Sequence, residues 1–78
     1  MAVLRLFGPA REAAGVVRAD IPGCSVGEVL QTAVARFGPV FADIVATSRI
    51  WVNGEPGTAG SVLSDRDEVA VVPPVSGG

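Results

Sequence analysis

Ser25-Val26-Gly27-Glu28-Val29-Leu30-Gln31-Thr32-Ala33-Val34-Ala35-Arg36-Phe37-Gly38-Pro39 holds the clearest local signal in the chain. Ser25 is a good helix N-cap, and Glu28 one turn on completes a capping box whose side chains satisfy otherwise orphaned backbone N–H groups. Val26, Val29, Leu30, Ala33, Val34 and Phe37 recur at helical spacing, which gives one apolar stripe to lay on a sheet. Gly38 ends the helix, and Pro39 forbids its continuation.

The segments on either side read as strands. Upstream, Ala2 to Phe7 is rich in strand formers, with Leu4 and Leu6 on one face and Val3, Arg5 and Phe7 on the other. Gly8-Pro9 stops it, Pro9 to Ala14 makes one helical turn with Gly15 as the exit, and Val16 to Ile21 alternates again before Pro22-Gly23. These two strands form a hairpin with a wide loop. Downstream, Pro39 to Thr47 is less readable and allows a short helical turn. Arg49 to Val52 reads as a third strand, Asn53-Gly54 supplies the positive φ values of a tight turn, and a short return strand follows before Pro56-Gly57. Beyond a short apolar patch at Val62-Leu63 and an acidic turn at Ser64-Asp65-Arg66-Asp67, Glu68 to Val72 is continuous and β-branched, as expected for a central strand buried on both faces. The order predicts an α+β fold: a mixed sheet covered on one face by one main helix, with residues 1–72 as the domain.

Composition excludes several function classes. The chain has 78 residues, 49% of them apolar, with one cysteine and no histidine. A structural zinc site, a Cys/His or Ser/His catalytic pair and an internal disulfide are therefore excluded, and no metal site is expected. The net charge is −2, and the six arginines are spread along the chain without clustering, so nucleic-acid binding is disfavoured. No apolar run approaches the roughly 20 residues that span a bilayer. Met1-Ala2-Val3-Leu4-Arg5 does not read as a signal peptide, so the expectation is a soluble cytoplasmic protein without a membrane partner. With no lysine, the chain offers no side-chain amine for attachment to itself, and any conjugation must run through a terminus.

Val72-Pro73-Pro74-Val75-Ser76-Gly77-Gly78 follows directly on the predicted central strand. Serial prolines favour a stiff extended path, and the last four residues have little apolar surface to pack down. Residues 73–78 are expected to project as an extended, flexible tail with a reach of roughly 20 Å at about 3.3 Å per residue. Gly77 and Gly78 lack a Cβ and can thread a channel too narrow for other residues. A carboxylate is a poor acyl donor until activated, which adenylation by ATP on a separate enzyme would achieve.

Three segments carry a resemblance that covers essentially the whole chain: Leu6-Phe7-Gly8-Pro9-Ala10-Arg11-Glu12, Val52-Asn53-Gly54-Glu55, and Asp65-Arg66-Asp67-Glu68-Val69-Ala70 running into Pro73-Pro74-Val75-Ser76-Gly77-Gly78. The sequence resembles the small subunit of molybdopterin synthase, within the ubiquitin-like sulfur-carrier group that includes the thiamine-biosynthesis carrier. The resemblance implies a β-grasp fold. It implies that the Gly78 carboxylate is adenylated by a ubiquitin-activating-like adenylyltransferase and converted to a thiocarboxylate. The tail, Pro73 to Gly78, then enters the large subunit of molybdopterin synthase and gives its sulfur to cyclic pyranopterin monophosphate. Catalytic side chains would lie on the large subunit of a heterotetramer, with no cofactor bound permanently to this chain. Phe7, Arg11 and Val72 are candidate partner-surface residues. Two departures stand out: Arg66 where many relatives have glycine, and Val72 where many have an aromatic residue. The alternatives are a sulfur carrier for thiamine or cysteine synthesis, a modifier joined to target lysines through Gly78, and a plain interaction domain.

Other residues read more simply. Cys24, beside the helix cap, is a small partly buried hydrophobe, and Asp65, Asp67 and Glu68 are turn and strand-edge carboxylates. Arg11-Glu12 reads as an exposed ion pair on a loop, Trp51 as ordinary packing, and Phe7 equally as packing or docking.

Overall fold

The computed structural model describes residues 1–74. The alternation at the start of the chain becomes β1 (Ala2–Leu6), in which Ala2, Leu4 and Leu6 are buried. Helix α1 (Pro9–Ala14) follows, begun by proline and closed by Gly15 in the left-handed region. β2 (Arg18–Ile21) returns antiparallel to β1. The strand reading of Val16 and Val17 was too long, although the Val17 carbonyl still accepts from the Leu6 N–H at 2.9 Å.

Helix α2 (Val26–Phe37) has the expected cap: Ser25 Oγ accepts from the Glu28 N–H at 3.2 Å. The Glu28 carboxylate accepts from the Cys24 N–H at 3.3 Å, one residue ahead of the usual capping-box partner. Gly38 ends α2, and Pro39 opens a full third helix at once. Helix α3 (Pro39–Thr47) replaces the short turn expected there. A proline that forbids continuation of one helix is pre-organised to start the next, because its missing N–H is an orphan at the first helical position in any case.

β3 (Arg49–Val52) and β4 (Glu55–Pro56) form a hairpin around Asn53, φ 50°, and Gly54, φ 83°. Both central residues have positive φ, the geometry that matches the twist of paired strands. Asn53 also ties the hairpin to β5 (Glu68–Val72): its side-chain oxygen accepts from the Glu68 N–H and its own N–H donates to the Glu68 carbonyl, each at 2.9 Å. Asn53→Ala removes an acceptor and places a less tolerant residue at positive φ, so it is expected to lower stability by about 1–3 kcal/mol in denaturant titration. An unchanged midpoint would mean that Glu68 finds another partner at no cost.

The sheet order is β2-β1-β5-β3-β4, with β1 and β5 parallel and the remaining pairs antiparallel. A parallel pair joined through a crossing helix and flanked by two hairpins is the β-grasp arrangement. β5 is central, as expected, but only Val69 and Val71 are buried, while Glu68, Ala70 and Val72 are half-buried. The continuous apolar run therefore does not mark burial on both faces, because all the helices pack on one side. Val26, Val29 and Ala33 of α2, Phe41 of α3 and Ala10 of α1 close that side. Phe41 is the bulkiest of the fully buried side chains, edge-on to Phe37 with ring centroids 5.2 Å apart. One main helix therefore does not cover the sheet alone. No helix among the described residues is long and apolar enough to cross a membrane.

Candidate functional site

Parallel pairing of β1 with β5 puts their C-terminal ends side by side, and the Phe7 N–H donates to the Val71 carbonyl at 3.3 Å. Where β1 ends, Gly8 adopts φ 56° and ψ −130°. A Cβ placed on Gly8 would stand 3.4 Å from Cγ of Pro73. The Gly8-Pro9 corner is thus the seat of the segment that follows β5: backbone conformation requires glycine there, and the Pro73 ring fills the space above it. Gly8→Ala should lower stability by about 1–3 kcal/mol, the range for a non-glycine residue forced into this region. Thermal melting would check it, and an unaltered midpoint would show that the corner relaxes freely.

Val72 is half-buried and pairs with Arg49 on the helix-free face, while Pro73 and Pro74 are exposed. Val75, Ser76, Gly77 and Gly78 lie outside the described residues, and with them the expected projection of the tail and the Gly78 carboxylate.

Phe7 and Arg11 come together in one groove of about 430 Å³, which Arg5, Arg18 and Arg66 also line. Phe7 is 40% exposed, and the Arg5 guanidinium carbon stands 5.7 Å from its ring centroid. Val72 does not line this groove. Arginines spread evenly along the sequence are thus clustered in space, because β1, β2, α1 and the turn before β5 converge. Only the three-dimensional arrangement shows this.

Several smaller expectations are corrected. Arg11 and Glu12 sit on α1, not on a loop, and neither ion pair among the described residues joins them. Cys24 is exposed, while its carbonyl accepts from the Leu63 N–H at 2.8 Å. Trp51 lies outside the core cluster, half-buried on the helix-free face opposite Ala70 of β5 and Pro56 of β4. The carboxylates of the acidic turn have structural partners. Asp65 pairs with the N-terminal ammonium, which holds its carboxyl below the usual value. Asp67 accepts from the Ser64 N–H at 2.8 Å, and Glu68 lies 3.5 Å from Arg5. Sequence reasoning missed the Gly8–Pro73 seat, although the Gly-Pro step marked an unusual corner.

The model of the ThiS family matches residues 4–78. The chain belongs to the ThiS family. It is therefore a ubiquitin-fold member of a sulfur-carrier family, and its β-grasp sheet recurs in solved structures. SAMP1 from Haloferax volcanii is 32% identical, with 99% of this chain and 98% of that chain covered at a TM-score of 0.79. A candidate molybdopterin converting factor subunit 1 from Pyrococcus furiosus is 27% identical, with 95% and 97% covered at a TM-score of 0.77. Subunit 1 of the molybdopterin-converting factor from Helicobacter pylori, solved in complex with subunit 2, is 23% identical, with 99% and 97% covered at a TM-score of 0.70, a likeness of fold alone.

Proposed function

We propose that this ThiS-family chain is the sulfur-carrier small subunit of a molybdopterin synthase, with the C-terminal carboxylate of Gly78 as its reactive group. The observation that carries the reading is the seat at Gly8, which holds the root of the terminal segment beside Phe7 and Arg11 at one end of the sheet. The family match extends through the Gly-Gly end itself. The globule then serves as a handle and Pro73, Pro74, Val75, Ser76 and Gly77 as the arm that enters the partner.

The cycle is the one the family resemblance implies. On a ubiquitin-activating-like adenylyltransferase, a Gly78 carboxylate oxygen attacks the α-phosphate of ATP and pyrophosphate leaves. A sulfur nucleophile then displaces AMP, leaving the thiocarboxylate. In the large subunit that sulfur passes to cyclic pyranopterin monophosphate, and water attacks the Gly78 acyl carbon as the C–S bond breaks, which returns Gly78 as a carboxylate. In this reading the acid–base groups of the transfer lie on the large subunit, and the carrier binds no permanent cofactor.

The test is reconstitution. Thiocarboxylated chain mixed with the large subunit and cyclic pyranopterin monophosphate should yield molybdopterin and return the chain to its carboxylate form. Sulfur retained on the chain would contradict the assignment. A second reading, a modifier linked to target lysines through Gly78, is favoured by the 32% identity to SAMP1, a modifier protein by name. It predicts higher-mass adducts on other proteins after activation. Chains built on this protein's own side chains are excluded, since it has no lysine.

A further inference from the structure

Four of the six arginines meet around one groove. Arg5 comes from β1, Arg18 from β2, Arg11 from α1 and Arg66 from the Ser64–Asp67 turn, and all four are exposed. Leu6, Phe7 and Val17 add apolar lining. Glu68 is the one carboxylate lining the groove, and it lies 3.5 Å from Arg5. The groove therefore has an excess of three positive charges in a chain whose net charge is −2. Neither ion pair among the described residues involves Arg11, Arg18 or Arg66.

Arg66 adds a second, independent observation. It holds φ 69°, a region in which a side chain is strained and glycine is not. The hydrogen bonds that fix the turn are made by backbone atoms and by the Asp65 and Asp67 carboxylates: the Arg66 N–H donates to the Met1 carbonyl at 2.8 Å, the Asp67 N–H to the Ser64 carbonyl at 3.1 Å, and Asp65 accepts from the N-terminal ammonium. None of these needs an arginine side chain. A non-glycine residue kept in a strained conformation where its side chain has no structural partner points to a role outside the fold.

We propose that this groove docks a short acidic segment of a partner protein, with carboxylates on the guanidiniums and an apolar residue against Phe7 and Val17, and that Arg66 tunes its affinity. A protein segment fits better than a nucleic acid. The adjoining hollow beside Arg18 and Arg66 adds only Asp20 and the mutually paired Asp65 and Met1 ammonium, so the excess positive charge ends with the groove and gives a phosphate backbone no basic track to follow. Guanidiniums in fork geometry match carboxylates, and an apolar lining rewards a mixed acidic and apolar stretch. The proposal does not depend on what happens at Gly78.

The test uses the full-length protein and the acetylated, amidated peptide Asp-Glu-Phe-Glu-Asp, followed by NMR and calorimetry. The peptide should shift the side-chain Nε–Hε signals of Arg5, Arg11, Arg18 and Arg66, and its affinity should fall as ionic strength rises from about 0.05 M to about 0.5 M. Arg66→Gly should weaken binding by about three- to five-fold, the size of one exposed charge pair, while melting at the same or a higher temperature. Arg36→Gln on α2 changes the net charge equally and should leave affinity unchanged. No shift of the four arginine signals at about 1 mM peptide overturns the proposal. So does equal loss of affinity in the Arg66 and Arg36 variants, or an oligothymidylate or pyrophosphate that binds as tightly as the peptide.

Discussion

A single alanine appended after Gly78 is expected to abolish sulfur loading while leaving the melting temperature unchanged. The added residue converts the Gly78 carboxyl into an amide, which cannot be adenylated. The new terminal carboxylate stands about 3.5 Å further along and bears a Cβ that glycine lacks. Misplacing a reacting group by even an ångström can cost roughly 100-fold in rate, so residual loading should fall by at least that factor. Thiocarboxylate formation, followed by mass spectrometry of the intact protein, reads the effect directly. An extended chain loaded at the original rate would remove Gly78 from the chemistry. The globule should not register the change, because its core closes with residues that precede Val72: Leu4, Leu6, Val69 and Val71 from the strands, and Val29 and Phe41 from the helices.

Phe41→Ala is expected to have the largest effect on stability. Phe41 has no exposed surface, joins the core between α1 and α2, and meets Phe37 edge to face. Truncating a buried phenylalanine to alanine costs about 3–5 kcal/mol, transfer and cavity contributions together. A domain of this size holds roughly 5–10 kcal/mol in all, so much of its stability would go. The melting midpoint should drop by roughly 15–30 °C. A drop of a few degrees would mean that α1 and α3 close over the space. Phe37→Leu, at a half-buried position, should cost far less, which separates loss of the central ring from general weakening of the α2–α3 contact.

How far the sequence could be read depended on whether its signals were local. β3, β5 and α2 were legible because a β-branched run, an Asn-Gly turn and a Ser-to-Glu cap each act within a few residues. α3 was not, because Val40, Phe41, Ile44 and Val45 are apolar without a clear polar face, Ser48 rather than glycine ends it, and Pro39 reads as a stop. Val16 and Val17 misled in the opposite sense: β-branched residues suggest a strand, but both are exposed and only the Val17 carbonyl joins the sheet. Burial of β5 was overestimated because a hydrophobic run cannot say how many layers cover it.

The candidate site divides in the same way. The Pro-Pro-Val-Ser-Gly-Gly end is a contiguous motif visible in the sequence, and its last four residues lie outside the described ones. Its seat is not visible there, since Gly8 and Pro73 are 65 positions apart in sequence and meet only because β1 and β5 run parallel. The arginine groove required the same long-range pairing, and no periodicity in the sequence marks it.

Incubating the full chain with ATP, its cognate activating enzyme and a sulfur source, then weighing the intact product, tests the central proposal most directly. The expected result is a mass gain equal to one oxygen replaced by one sulfur, confined by fragmentation to Gly78 and lost when ATP is omitted. A product of unchanged mass, or sulfur found instead on Cys24, would contradict it.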